Sequence, residues 1–245
     1  MTLQFLPGVP ADHILARLRQ APGNEIDSGK LHSPDSSAAL AANALGWFID
    51  RPDLLPPLPG TEAAGPAQSV EIEYRARFPW RGGSHPWLDA AVLTATHLIG
   101  IESKRFEPFR HAKAPSLSPA YDRPVWGPRM ERFGQVRDAL RSGTLRPRHL
   151  DAAQLVKHAY GLVTEARRLA RAPVLAYLFA EPAALRGQPI PPADHARHRA
   201  EIADFAARVA GDEVLFAAAS YREWLAAASG PAAAHAAAVL DRFAP

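Results

Sequence analysis

The sequence predicts an α/β protein built on a mixed sheet, and three observations carry that prediction. A segment of period-2 alternation, SVEIEYRARF, leads into two apolar runs joined by a tight turn. Amphipathic helical stretches then alternate with buried strand-like runs. The 245 residues are 47% apolar and 22% charged, as in ordinary globular chains. We expect one domain over residues 1–245, with an N-terminal arm over 1–35 and a Pro/Arg-rich insertion over 107–147.

The arm mixes a short amphipathic turn around Ile14, Leu15 and Leu18 with the Gly/Pro/Ser-rich stretch APGNEIDSGKLHSPDSS. Asp35 or Ser36 can cap a first helix that runs through Leu40, Leu45 and Trp47 to about Asp50, where prolines break it. In SVEIEYRARF the alternation places Val70, Ile72, Tyr74 and Ala76 on one face and Glu71, Glu73, Arg75 and Arg77 on the other, as in a half-covered strand. LDAAVLTATHLIGIESKRF is apolar on both faces and rich in Val, Thr and Ile, which predicts two central strands in a hairpin.

Within the insertion, Met130, Phe133, Val136 and Leu140 line one side of a helix that Gly143 can end. A long helix from about Leu150 to Arg171 and the run PVLAYLFAEP follow, so strand, crossover helix and strand predict a parallel pair. A helix over 193–210, the strand DEVLFAAAS and Ala-rich terminal helices complete the alternation.

Composition excludes several chemistries. The absence of cysteine removes disulfides, thiol nucleophiles, iron-sulfur clusters and Cys-bound zinc, so any metal must take Asp, Glu or His. No basic n-region with an apolar run opens the chain and no 18-residue apolar stretch occurs, from which we expect a soluble cytoplasmic protein without a membrane partner. With 28 basic and 25 acidic side chains the net charge is only +3, but residues 100–150 hold 11 basic against 5 acidic groups. One segment therefore carries the positive field.

P-loop, GxGxxG, HExxH and GxSxG patterns are all missing. The hairpin offers a different anchor: Asp89 begins its first strand, and Glu102 and Lys104 form a Glu-x-Lys in its second. Residues two apart on a strand share a face at roughly 6.5 to 7 Å, so Glu102 and Lys104 point together. A two-residue loop between Thr94 and Leu98 makes opposed residue numbers sum to 191 or 193, which sets Asp89 opposite Glu102 or Lys104 on that same face. A loop of odd length would turn it away. Two converging carboxylates beside an ammonium suit Mg²⁺ or Mn²⁺. Such an ion lowers the pKa of bound water and polarises a phosphoryl oxygen, while Lys104 stabilises developing negative charge. Glu71 or Glu73 could add a third carboxylate. The bland reading is a solvated Glu/Lys pair, and what weighs against it is that these charges interrupt an apolar hairpin.

LDAAVLTATHLIGIESKRFEPF resembles the core of the PD-(D/E)XK nuclease superfamily, with Pro86 as a displaced leading proline. NEIDSGKLHSPDSSAALAANALGWF, VEIEYRARFP and VLFAAASYREW extend the likeness to a bacterial family of restriction endonucleases within that superfamily, over most of residues 24–224. The resemblance implies a restriction-endonuclease-like mixed sheet, an antiparallel hairpin region followed by helical crossovers, flanked by helices. It also implies metal ligation by Asp89 and Glu102, with Lys104 as the catalytic lysine. Many relatives carry an acid on the first helix, and none lies between Asp35 and Asp50 here, so Glu71, Glu73 or the more distant Glu25 would have to substitute.

The leading expectation is a Mg²⁺- or Mn²⁺-dependent nuclease that hydrolyses phosphodiester bonds in nucleic acid, with DNA the expected substrate. Arg129, Arg132, Arg137 and Arg141, with Arg146 and Arg148 beyond them, could hold a phosphate backbone, or form a solvated arginine-rich surface instead. The alternatives are a non-catalytic nucleic-acid-binding or scaffold protein of the same fold and a hydrolase of some other phosphorylated substrate. Gln154 is expected to pack or cap, the pair His195 and His198 to lie on a solvated helix face, and Ser37 and Asn43 to cap a helix or hydrogen-bond in the core.

Overall fold

The computed structural model describes every residue except 1–4, 24, 34, 59, 83 and 111–115. Its centre is a five-stranded mixed sheet in which β1 (Ala67–Arg75), β2 (Trp87–Thr94) and β3 (His97–Lys104) run antiparallel, while β4 (Ala172–Phe179) pairs parallel with β3. A last strand, Leu215–Ser220, joins β4 in parallel; it is β7 in chain order, after the two-residue strands β5 (Ala184–Leu185) and β6 (Gln188–Pro189), which form a separate hairpin. The mixed sheet is thus the one predicted, with crossover helices where parallel pairing requires them.

Helices cover both faces. On one lie α1 (Ala11–Gln20), α2 (Ser37–Gly46), the short α6 (Tyr221–Leu225) and α7 (Pro231–Phe243), around a core holding Leu40, Phe48, Ile72, Val92, Ile101 and Trp224. On the other lie α3 (Glu131–Ser142), α4 (Ala152–Arg168) and α5 (Pro192–Val209), around Phe133, Tyr160, Leu162, Leu175 and Phe205. Each fully buried Leu or Phe of these two layers is worth roughly 1.5–3 kcal/mol.

The caps follow the sequence. Ser36 accepts a hydrogen bond from the Ala39 N–H to open α2, and Gly143 takes the left-handed conformation that ends α3. Two segments are more integral than expected. Residues 11–20 form a ten-residue helix whose Ile14 and Leu18 are buried, where a short turn in an arm was expected. Helix α3, expected within an insertion, buries Phe133, Val136 and Leu140 against α4 and α5, with Met130 buried just before it.

The largest departure is in β1. Val70 and Ile72 pack into the α2 side of the sheet, but Tyr74 and Ala76 pack into the α4 side, so the four do not share a face. Glu73 between them has φ +54°, a left-handed conformation that costs a non-glycine residue and reverses the alternation. Strand β2 slips at the same level, since Leu88 packs with α4 while Ala90 and Val92 pack with α2. Because both strands slip together, the pairing holds its register, from Val70 opposite Val92 to Arg75 opposite Trp87.

Candidate metal and phosphoryl-transfer site

The β2–β3 turn is the two-residue loop Ala95–Thr96, and Ala90 opposite Ile101 and Leu93 opposite Leu98 give the register whose residue numbers sum to 191. That register sets Asp89 opposite Glu102. Asp89 Oδ2 accepts the Ser103 N–H at 2.6 Å, so the carboxylate takes the place of a ladder bond at the level where β2 slips. Glu102 and Lys104 continue the face on which Leu98 and Gly100 meet α4, and they are ion-paired through Glu102 Oε1.

Helix α4 brings His158 down onto the same carboxylate. Its Nδ1 lies 3.0 Å from Glu102 Oε2 but off the line of a hydrogen bond, and it is a buried nitrogen without a hydrogen-bond partner among the described residues. Glu102 is 2% exposed, so both of its oxygens face a cation or imidazole inside the protein. Sequence reasoning missed His158. The available signal was its place four residues, one helical turn, after Gln154, which lines the cleft described below.

The charges shape one another. Burial pushes Asp89 well above the usual carboxylate range, and repulsion from Glu102 and Glu73 adds to this while Lys104 opposes it. Burial also acts to raise Glu102, but Lys104 and His158 outweigh it and hold the carboxyl at about 2. For Lys104 burial acts to lower the pKa, whereas Glu102, Asp89 and Glu107 raise it above the usual lysine value, so the ammonium stays charged. Glu73 is raised to about 7 by burial and then by Glu25 and Glu102.

Of the two candidate third carboxylates, Glu73 joins the group and Glu71 does not. Glu71 is half exposed and sits 3.7 Å from Arg17 of α1, because the left-handed turn at Glu73 separates two residues that a regular strand would keep together. Glu107 is a further acid that sequence reasoning did not select. It accepts from Ser37 Oγ at the start of α2 and from the Arg105 N–H at 2.9 Å, and it faces the ammonium of Lys104. Among the described residues no group of three or more His, Asp or Glu side chains is close enough to hold a metal ion by itself.

A cleft of about 860 Å³ opens beside Lys104, Glu107 and Gln154, with Arg110, Arg141, Arg146 and Arg148 along its wall. The four arginines expected to hold phosphates are arranged otherwise. Arg137 pairs with Asp138 and Asp122, and Arg141 with Asp122, so both tie the 118–122 turn to α3. Arg132 backs Asp212 at the far end of α3, and Arg129 is exposed there, with its carbonyl bonded to the Glu213 N–H. Of the four only Arg141 reaches the cleft. Arg110, Arg146 and Arg148 are exposed and form no ion pair among the described residues. Gln154 lines the cleft, and its N–H donates to the capping carboxylate of Asp151. Asn43 bonds in the core as expected, to the Leu6 N–H and the Ala39 carbonyl. The solvated-face reading of His198 is overturned: it is 1% exposed and bonds the Tyr177 hydroxyl at 3.0 Å, because α5 lays it against β4.

A mixed sheet whose central hairpin carries paired acids and a lysine, flanked by helices on both faces, is a restriction-endonuclease-like fold. The chain belongs to the family described as Restriction Endonuclease associating with ARP, whose family model matches residues 7–200. That span contains β1 to β4, α1 to α4 and every residue of the site. Searches of curated proteins and of solved structures found no match. No helix among the described residues is long and apolar enough to cross a membrane.

Proposed function

We propose that this protein is a metal-dependent nuclease of the PD-(D/E)XK type that hydrolyses phosphodiester bonds in DNA. The single observation that carries the reading is the convergence of Asp89, Glu102 and the charged Lys104 from two paired strands beside an arginine-walled cleft. The donor set fits Mg²⁺ or Mn²⁺. Both carboxylates are hard oxygen ligands, their mutual repulsion is what a cation relieves, and such ions keep several waters and use few protein ligands. Asp89 and Glu102 would hold the ion, and Glu73 would add negative charge beside them. The bound ion would supply an activated water and a polarised phosphoryl oxygen.

The chain's own groups account for the rest. Glu102, Asp89 and Glu107 favour the charged ammonium of Lys104, which would stabilise charge developing on the phosphate. Arg110, Arg146 and Arg148 would track the backbone of a strand led to Lys104, with no base contact required. The test is incubation with plasmid and single-stranded DNA in Mg²⁺ or Mn²⁺. Nicking or degradation should vanish with EDTA and with Lys104→Ala. Salt-sensitive binding of DNA without cleavage under any divalent ion would leave the non-catalytic reading instead.

A further inference from the structure

We infer that His158 is the positioning residue of the site: it fixes the orientation of Glu102 so that this carboxylate can serve a divalent ion. The inference rests on the metal reading above and deepens it. Three features of the structure support it.

The first is geometric. Glu102 is a buried carboxylate on β3 with Lys104 at Oε1 and His158 Nδ1 3.0 Å from Oε2. Lys104 is two residues along the same strand and 16% exposed, on a flexible stem, so it can follow the carboxylate wherever that turns. His158 is on a helix, and its ring has far fewer rotatable bonds. Only the imidazole can define a direction.

The second is the way the fold places that ring. Helix α4 approaches the sheet at two glycines: a Cβ on Gly161 would lie 2.8 Å from the Ala76 carbonyl oxygen and 2.6 Å from Pro86 Cγ, and one on Gly100 would lie 3.0 Å from Leu162 Cδ1. Gly161 is three residues after His158, on the same side of the helix. The close approach that these glycines permit is what lowers the imidazole onto Glu102.

The third is the unspent hydrogen-bonding capacity. A buried imidazole nitrogen without a partner is costly, and Nδ1 is within reach of an acceptor but off its line. At 3.0 Å from Oε2, Nδ1 is close enough to serve this carboxylate, and it has no other acceptor among the described residues. Partners of this sort on ligating groups typically change metal affinity 10- to 100-fold when removed.

The test measures Mn²⁺ affinity, not activity, by calorimetry or electron paramagnetic resonance on the full chain, with Asp89→Asn as the ligand control. His158→Leu should weaken Mn²⁺ binding at least about 10-fold. His158→Asn places an amide nitrogen where Nδ1 stands and should recover most of that loss; His158→Gln places it nearer the Nε2 position and should not. Thermal melts of the metal-free variants show whether all three fold. Wild-type affinity in His158→Leu, or equal weakening in the Leu and Asn variants, overturns the positioning role and leaves the metal reading intact. Absence of Mn²⁺ binding by the wild-type chain overturns both.

Discussion

Glu73 lies at the level of Asp89, between the Ile72–Ala90 and Tyr74–Leu88 pairs of β1 and β2, where both strands reverse their alternation. Its backbone is left-handed, and its charge acts on Asp89. Two carboxylates that a regular pair of strands would hold in a plain ladder are thereby brought together at an irregularity. A non-glycine residue in this conformation costs about 1–3 kcal/mol, and the surrounding pairing sustains it.

That arrangement has a pH signature. Glu73 and Asp89 both bind their protons more tightly in the folded protein than in the unfolded chain. The stability they contribute is therefore complete below the ordinary carboxylate range, and it declines as pH rises, for Glu73 through about 7. Urea unfolding between pH 4.5 and 8 should show falling stability in the wild type. Glu73→Gln should flatten that slope and be more stable at pH 8 by about 1–2 kcal/mol, a figure reduced from the full shift for partial solvent screening. An unchanged slope in Glu73→Gln would remove Glu73 from the charge cluster.

Divalent cation should act on the same repulsion. At neutral pH, 10 mM Mg²⁺ is expected to raise the melting temperature of the wild type by a few degrees, since a ligand that binds only the folded state stabilises it. Asp89→Asn should melt higher than the wild type without metal, respond little to Mg²⁺, and lose cleavage. Differential scanning fluorimetry at several Mg²⁺ concentrations reads all three quantities apart from cleavage.

Removing one partner from the Glu102 and Lys104 pair should be destabilising in its own right. Glu102 is held at about 2, so the stability it contributes is present above pH 4.5 and lost as pH falls through about 2. Lys104→Met leaves that buried carboxylate facing His158 alone, and breaking a buried pair in this way costs about 3–5 kcal/mol. The double variant Lys104→Met/Glu102→Leu should recover much of the loss. If urea midpoints of the single and double variants coincide, the pair does not carry this coupling.

Part of the site was legible: the turn length set the level of Asp89, whereas its expected face assumed an unbroken alternation that β2 does not keep between Leu88 and Ala90. Runs apolar on both faces and rich in Val, Thr and Ile identified the hairpin strands, and an even turn at Ala95–Thr96 set Asp89 at the level of Glu102. The break at Glu73 was not legible, since nothing in SVEIEYRARF marks a glutamate for a left-handed backbone; the covering helices, not local propensity, decide which side Tyr74 packs on. His158 was hidden for a related reason. Its contact with Glu102 is made across 56 residues by the docking of α4, and periodicity alone reads position 158 as helix interior. For the arginines, sequence gave their density but not their pairing with Asp122 and Asp138.

The cleft arginines should reveal themselves through salt. Each phosphate contact removed makes the dependence of log K on log salt shallower by about 0.9 for duplex DNA and about 0.7 for a single strand. Arg146→Ala and Arg148→Ala should each weaken binding uniformly across sequences and reduce the slope by up to that amount. Arg137→Ala, which removes an ion-paired side chain that does not line the cleft, should leave the slope unchanged. Fluorescence anisotropy from 50 to 300 mM salt distinguishes these outcomes, and a slope change confined to Arg137→Ala would move the interface to α3.

Helix docking gives the last test. Gly161→Ala would ordinarily favour a helix by nearly 1 kcal/mol, because alanine is the better helix former. Here the added methyl meets the Ala76 carbonyl at 2.8 Å and Pro86 Cγ at 2.6 Å, and the backbone oxygen cannot step aside as a flexible side chain could. The helix must move outward, which opens the packing of Tyr160, Leu162 and Val163 and lifts His158 from Glu102. Overpacking of this kind typically costs about 1–3 kcal/mol, so the net effect should be destabilising despite the propensity gain. Denaturant unfolding of Gly161→Ala reads the sign directly; a more stable variant would mean that α4 is free to shift, and that the fold does not hold it against β1 as closely as the site requires.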